Sequence, residues 1–407
     1  MSITSSEGAL KRPRILMLLE NCPYPRDDRV RREAHTLAAA GYDVAIIAPR
    51  GDDQPWRELL DGVRVYRFPT PSSGHGFWGY AWEYGFSLIA TFFISLFVFI
   101  TRNFDIVHAH QPPDAFAFIA GFYKLFGKRY VLDHHDLAPE LYYSRFGGKG
   151  RSALYRVLLW LEKFSFGLAD YVISTNQSYK DIATCRGRVD GDRVTIVRNG
   201  PDLGELRGSD AMESLRESGK TIVGYVGVTG IQDGVDNLMR AIRHLVYDLR
   251  RRNLLCVVVG DGSAMPMLKL LANQLQIEPY TVFAGWIREQ LEVAKYLNSM
   301  DICVAPEPSD DYNDRSTAAK VMEYMAMGKP IVSFDLPEHR FSAQDAAIYA
   351  KPGDEMDFAR KIAELMDDPI RRDAMSRAGR RRINEELAWH HQEKHLLDAY
   401  QKLDGRP

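Results

Sequence analysis

A chain of 407 residues is longer than one hydrophobic core ordinarily serves and suits two domains. Its 45% hydrophobic and 26% charged content excludes a disordered polymer, and a net charge of -2 gives no footing for a nucleic-acid binder, which needs a basic domain. Cys22, Cys185, Cys256 and Cys303 are scattered without metal-ligand spacing, so no metal site is expected and a reducing compartment fits. Met1 to Arg14 is polar and runs straight into an apolar strand. No secretory leader is read there, and a cytoplasmic location is expected.

Short apolar runs then alternate with helical stretches, the pattern of parallel sheets covered by helices. The first half offers strands at Ile15–Leu19, Val44–Ala48, Val63–Phe68, Ile106–Ala109, Tyr130–Asp133, Val172–Thr175 and Val194–Val197. Asn199-Gly200-Pro201-Asp202 is a turn cluster followed by polar sequence to Gly219, and it marks a domain boundary. Strands resume at Ile222–Val226, Cys256–Val259, Thr281–Ala284, Ile302–Ala305, Ile331–Phe334 and Ile348–Ala350. Leu387 to Leu403, with Trp389, Leu396, Leu397 and Tyr400 on one side, reads as an amphipathic helix.

Phe86 to Ile100 carries no charge. As helix it reaches only about 22 Å, short of a hydrocarbon layer of about 30 Å. Ser87, Thr91 and Ser95 recur every four residues and allow close approach to a neighbouring element. Three readings stay open: a helix packed on its sheet, a helix resting on a membrane, and a true span. Trp78, Tyr80, Trp82 and Tyr84 just before it favour the resting helix, because such rings prefer lipid interfaces. Arg26, Arg29, Arg31 and Arg32 would add attraction to anionic headgroups or form an ordinary solvated face. A peripheral membrane contact through residues 77–100 is therefore expected.

The most informative stretch is Asn313 to Asp335, NDRSTAAKVMEYMAMGKPIVSFD. Asn313 and Asp314 suit a turn, and Ser316 and Thr317 suit the cap of a short helix. Met322, Met325 and Ala326 face a core at helical spacing, Lys320 and Glu323 share another face, and Gly328 with Pro330 ends the helix. A helix start beside a lysine attracts phosphate, and a carboxylate one turn on accepts bonds from sugar hydroxyls. Alone, this segment reads first as an amphipathic helix with a solvated ion pair.

Glu323-Tyr324-Met325-Ala326-Met327-Gly328-Lys329-Pro330 resembles the donor-binding signature of retaining glycosyltransferases of family four. That resemblance extends over nearly the whole chain. It implies an α/β fold of GT-B type, with two facing Rossmann-like domains and a C-terminal helix crossing back. The bounds would be 1–200 for an acceptor domain, 201–385 for a nucleotide-sugar donor domain and 386–407 for the returning helix. It implies a hexosyltransferase that uses a nucleotide sugar as co-substrate without a further cofactor. The acceptor would be lipid-linked or polysaccharide, at the inner membrane face.

Glycosyl transfer builds negative charge on a departing diphosphate. A cation about 4 Å away supplies about 4 kcal/mol under a surface-like dielectric. Lys320 and Arg198 are the candidates for that role, and the resemblance gives Glu323 to the nucleotide ribose. It sets Gly227 and Gly230 against the diphosphate and matches Gly260 to a neighbouring turn. Trp286 and Ile287 match a strand end whose backbone reads the base, and Arg315, Ser316 and Thr317 fall at the donor side. His135, with His134 second, matches a histidine beside the transferred sugar. Glu140 would orient that loop, and Arg26 lies in the first loop, which meets the acceptor.

Two positions depart from the commoner pattern: Arg315 stands for a glutamate, and Asp233 for a lysine. The phosphate cation would then have moved to Lys320, with Asp314 or backbone amides reading the sugar. A nicotinamide dehydrogenase is disfavoured because Glu20-Asn21-Cys22-Pro23 lacks the glycine fingerprint. A sugar-nucleotide 2-epimerase of the same architecture and a non-catalytic sugar-nucleotide binder remain the alternatives.

Overall fold

In a computed structural model that describes residues 13–70, 77–145, 150–204 and 210–403, the apolar runs become short strands, most of them buried on both faces. Of residues 77–81 only the backbone is described. The chain divides into two compact units. The first comprises Met1–Ala138, Val157–Val197 and Glu393–Pro407; the second comprises Pro139–Arg156 and Arg198–Gln392.

The first unit is built on β1 (Arg14–Leu18), β2 (Asp43–Pro49), β3 (Arg57–Leu60), β4 (Val63–Phe68), β5 (Ile106–His110), β6 (Arg129–His134), β7 (Tyr171–Ser174) and β8 (Val194–Ile196). Their order is β3-β4-β2-β1-β5-β6-β7-β8. All neighbours run parallel except β3, which pairs antiparallel with β4. Sequence periodicity misses β3 because its side chains alternate between exposed and half-buried, with no apolar face to read. The signal lay in Asp61-Gly62, which join Leu60 to Val63 with φ of +48° and +82°, the two left-handed residues of a tight hairpin turn.

The chain leaves β1 towards β2 through α1 (Asp28–Ala39) and returns to the far side of β1 through α2 (Phe77–Arg102) into β5. The sheet order therefore reverses between β1 and β5. In such sheets ligands bind beyond the carboxyl ends of the strands at that reversal. Three further helices follow: α3 (Phe116–Lys124), α4 (Ala138–Arg145) and α5 (Ser152–Leu168).

The α2 helix is longer than its uncharged stretch suggests. Its 26 residues reach about 39 Å at the usual rise. Trp82–Arg102 is long and apolar enough to cross a membrane, yet only 22% of its most apolar window is buried. The small-residue stripe faces inward as read. Ser87 donates to Glu20 Oε1 (3.3 Å), and the Ser95 and Tyr123 hydroxyls share a bond (2.8 Å). The opposite face is bare, with Ile89 59%, Phe93 64% and Ile100 81% exposed. Trp82 is exposed as well, whereas the side chains of Trp78 and Tyr80 lie outside the described residues.

The second unit holds β9 (Thr221–Val226), β10 (Leu254–Val259), β11 (Thr281–Gly285), β12 (Ile302–Ala305), β13 (Ile331–Phe334) and β14 (Ala347–Ala350). Their order is β11-β10-β9-β12-β13-β14, and all neighbours are parallel. Cys256 and Val258 enter one core with Leu238 and Ile242 of α6 (Val235–Arg243). Val257 and Val259 enter the other, with Met322 and Met325 of α7 (Ala319–Ala326). Here the order reverses between β9 and β12, so the segments after those two strands frame the site. After α8 (Pro337–Ala343) and β14 the chain ends in α9 (Trp389–Leu403). In the first unit, the Tyr400 hydroxyl of α9 meets His108 Nδ1 (2.8 Å) and its ring packs edge-on against Tyr42.

Candidate functional site

At the second unit's reversal, the end of β9 comes unusually close to the end of β10. Gly227 and Gly260 have φ of +151° and +128°, and a Cβ on Gly260 would lie 1.9 Å from the Gly227 carbonyl oxygen. No other residue type fits there. A Cβ on Gly227 would in turn lie 3.1 Å from Lys320 Cε, so the lysine runs directly along this bare backbone. The Gly230 amide donates to Asp233 Oδ2 (2.9 Å), which closes the turn after β9.

Lys320 sits in the first turn of α7 and is nearly buried. Its Nζ donates to Glu307 Oε1 (2.6 Å) and to the Tyr225 hydroxyl (2.9 Å), and lies 3.6 Å from Asp233 Oδ1. Tyr225 passes the polarity on by donating to the Val228 carbonyl (2.6 Å). Burial opposes charge on Lys320, but Glu307, then Tyr225 and Asp233, hold the ammonium proton far more firmly than usual. Burial alone would push Glu307 up, yet Lys320 overrides it and keeps the carboxyl below its ordinary range. Asp233 ends the other way: burial raises it, and the more distant lysine only partly compensates. One ammonium thus faces two carboxylates, of which Glu307 is firmly ionised and Asp233 takes up a proton more readily.

Several expected details differ. The cap of α7 is Ala318, with no side-chain cap bond, so Ser316 and Thr317 precede the helix and do not cap it. The Ser316 amide donates to the Tyr312 carbonyl (3.0 Å), and Thr317 Oγ1 donates to Glu338 Oε2 of α8 (3.4 Å). Lys320 turns to Glu307 rather than pairing with half-buried Glu323, because a desolvated carboxylate offers more than a wet one. Met322, Met325 and Gly328 fall as read: the methionines are buried, and Gly328 closes the helix at φ +65°.

Arg198 is stacked 4.1 Å above the Phe341 ring and 3.6 Å from Glu338 Oε2, so it joins Thr317 through that carboxylate and does not join Lys320. Burial makes its proton somewhat easier to lose, and Glu338 offsets part of that. Arg315 pairs with Asp311 (2.9 Å) on the surface. Trp286 is 63% exposed just after β11, with Ile287 half-buried beside it. Asp314 accepts from Ser309 (3.0 Å).

In the first unit, the reversal is filled by a second buried cluster. Arg29, near the start of α1, donates to both oxygens of Asp133 (2.7 and 2.8 Å) and to the Val197 carbonyl (2.8 Å), and lies 3.0 Å from Glu33. His110 Nδ1 and His135 Nδ1 also meet Asp133, at 2.8 and 2.9 Å. Against the pull of burial, Arg29 and then His135 hold Asp133 well below the carboxylate range. Asp133 returns the effect: burial disfavours the imidazolium of His135, but the carboxylate lifts it to about 9. Glu33 is pushed up to about 8 by burial and then by Asp133. Donor atoms of Glu33, His108, His110 and Asp133 lie within 4.8 Å of one another, and the Arg29 guanidinium supplies the positive charge against them.

Strand alternation decides between the two histidines. Asp133 and His135 share a side, whereas His134 is buried between Phe166 and Tyr179 and does not reach the cluster. Arg26 is exposed on the turn whose amide donates to Pro23. Glu140 is buried in α4 and belongs to the second unit.

Residues 27–200 match the family described as glycosyl transferase 4-like domain, and residues 220–368 match that described as glycosyl transferases group 1. The chain is 27% identical to alpha-maltose-1-phosphate synthase of Mycolicibacterium smegmatis over 310 residues, 69% of this chain and 75% of that protein. Sucrose-phosphate synthase from Thermosynechococcus elongatus superposes with a TM-score of 0.78 at 17% identity, covering 97% of this chain and all 100% of that one. The Anabaena protein Alr3699/HepE, solved in complex with UDP-glucose, superposes with a TM-score of 0.72 at 14% identity, covering 96% and 100% of the two chains. The fold is therefore GT-B.

The first unit's cluster has a measurable consequence. Glu33 and His135 bind protons more tightly when folded than in the unfolded chain, where 4.5 and 6.5 apply. The stability they contribute is complete below those values and is lost as pH rises through about 8 and about 9. Thermal unfolding should show the melting temperature falling between these limits, with a shallower fall in Glu33→Gln. An identical slope in the variant would contradict the assignment.

Proposed function

We propose, from the premise that the chain belongs to the glycosyl transferases of group 1, that it moves a hexose-type sugar from a nucleotide-sugar donor to a lipid-linked or polysaccharide acceptor with retention at the anomeric carbon. The observation that carries this reading is Lys320 lying along the bare Gly227 backbone at the sheet's reversal point. A diphosphate seated there would accept from backbone amides and from the ammonium. It would compete with Asp233 for the lysine's third proton, which the raised affinity of Asp233 for a proton favours. As the bond from the anomeric carbon to the diphosphate breaks, the acceptor oxygen bonds the same face, and its proton passes to the leaving phosphate. Glu323 would hold the ribose, and in the first unit Asp133 keeps His135 cationic. The nucleotide sugar is the only co-substrate that this reading requires.

The same reading places the enzyme at the cytoplasmic membrane face. In support, α2 leaves Ile89, Phe93, Phe97 and Ile100 exposed, each forgoing up to about 2 kcal/mol of burial. Glu83 is the single charge between residues 82 and 101, while Arg102 and Lys128, the latter 5.5 Å over the Phe99 ring, edge the helix end with positive charge. The occupant is an anionic bilayer surface.

Lys320→Ala and Glu323→Ala should each lower turnover by about 10²-fold or more, as expected when a pre-placed charged contact is lost. Asp233→Asn should tighten nucleoside diphosphate binding in calorimetry. Unchanged turnover in both alanine variants would refute the site. In flotation, the protein should rise with phosphatidylcholine–phosphatidylglycerol vesicles and the Ile89→Asp/Phe93→Asp variant should not. Wild-type protein left wholly in the aqueous fraction would remove the membrane contact.

A further inference from the structure

The bare face of α2 is one part of a wider surface. In the first unit α2, α3 and the part of α5 from Val157 onward cover the same side of the sheet, because residues of all three enter one core with Leu16, Val107 and Leu132. They pack side by side. Phe92 of α2 meets Phe122 of α3 with ring centroids 5.2 Å apart, and Phe99 meets Phe126 just past α3 at 5.6 Å. Phe118 of α3 meets Phe164 of α5 at 5.0 Å, and Trp160 stacks on Phe164 at 5.5 Å and 9°. Each helix also leaves apolar side chains in solvent. Beside Ile89 and Ile100 stand Leu125, 81% exposed, Phe126, and Trp160, 55% exposed. The strip continues past α2 to Trp56, exposed just before the edge strand β3 and 5.9 Å from the Phe97 ring.

Topology forbids α2 from crossing a membrane, although its length and composition would allow it. A single crossing leaves the two ends of a helix on opposite sides of the bilayer. Yet α2 joins β4 to β5, and those strands belong to one sheet through β2 and β1. Val98 also lies in the core, and Ser87, Thr91 and Ser95 are buried on the inner side. Crossing would break the sheet and open that core to lipid, so α2 can meet a bilayer only sideways.

The chemistry of the surface selects lipid. Trp56, Trp82 and Trp160 stand exposed on it, and indole rings collect at the boundary between headgroups and acyl chains. Arg102, Lys128 and exposed Lys163 bring positive charge to these helices and their ends. The acids in the same segments are Glu83 and Glu162, and Glu162 is buried against Arg186 (2.6 Å). Anionic headgroups answer that pattern of cations around an apolar, aromatic centre.

We infer that α2, α3 and α5 form one platform that lies flat on an anionic bilayer. Leu125, Phe126 and Trp160 seat among the headgroups, and α2 runs parallel to the membrane plane. The inference rests on the membrane contact proposed above and extends it to residues outside α2.

Co-sedimentation of the full-length protein with phosphatidylcholine–phosphatidylglycerol vesicles tests it in a variant that leaves α2 untouched. Leu125→Asp/Trp160→Asp should weaken partitioning about tenfold or more while the melting temperature stays that of the wild type. If the pair of changes unfolds the chain, Leu125→Asp alone, at the more exposed position, should still weaken it severalfold. Trp160 fluorescence, read as the difference between wild type and Trp160→Phe, should be quenched more by lipids brominated near the headgroup than by lipids brominated at the chain end. Partitioning equal to wild type in both Asp variants, with Ile89→Asp/Phe93→Asp still abolishing it, would confine the contact to α2 and overturn the platform. A wild-type dimer in solution that Leu125→Asp/Trp160→Asp renders monomeric would give the surface to a second copy and overturn it too. Wild type that never binds vesicles would remove the membrane contact itself, and the platform with it.

Discussion

The second unit is organised around one buried ammonium. Lys320 lies in a pocket where an unpaired charge would be costly, and Glu307 answers it at 2.6 Å. Removing one member of such a pair typically costs about 3–5 kcal/mol, because the other is left buried and uncompensated. The pair therefore fixes more than itself. It pins the start of α7 to the segment after β12, through Tyr225 to the end of β9 and through Asp233 to the segment after β9. These are the strands between which the sheet reverses, so the interaction that stabilises the site also locates it.

The first unit solves a similar problem with opposite signs. There the fixed point is Asp133, a buried carboxylate surrounded by Arg29, His110 and His135. Both clusters stand past the carboxyl ends of central strands, where helix starts and loops converge and a parallel sheet leaves polar backbone to be satisfied. In each, one group is over-determined and a neighbour is left adjustable: Asp233 beside Lys320, Glu33 beside Arg29.

Much of this was legible in the chain. Strands Val63–Phe68, Ile302–Ala305 and Ile331–Phe334 are observed with the bounds read, because buried apolar residues dominate each of them even where Arg64, Arg67 or Ser333 interrupts the run. Gly227 and Gly260 were legible as glycines at strand ends. Their mutual approach was not, since it depends on two loops meeting. Glu307 escaped notice because a single acid between Pro306 and Pro308 has no partner in sequence; its partner is thirteen residues on, in the first turn of α7. The solvated Lys320–Glu323 pair, the plainer alternative at helical spacing, does not form because tertiary burial brings Lys320 to Glu307. The uncharged run in α2 was recognised. Its length was not, because Glu83 and the aromatic residues before it continue the helix beyond the apolar stretch.

These features belong to a GT-B glycosyltransferase whose lysine centre is framed by the loops after β9 and β12. The bare face of α2 gives the first unit a surface that water does not suit. The account stands on the diphosphate position. A crystal structure with a bound nucleoside diphosphate measures it most directly. A phosphate oxygen should lie within hydrogen-bond reach of Lys320 Nζ and of the backbone at Gly227–Gly230, with Asp233 displaced from the ammonium. A diphosphate bound elsewhere, with Lys320 still enclosed by Glu307 and Asp233, would contradict the account.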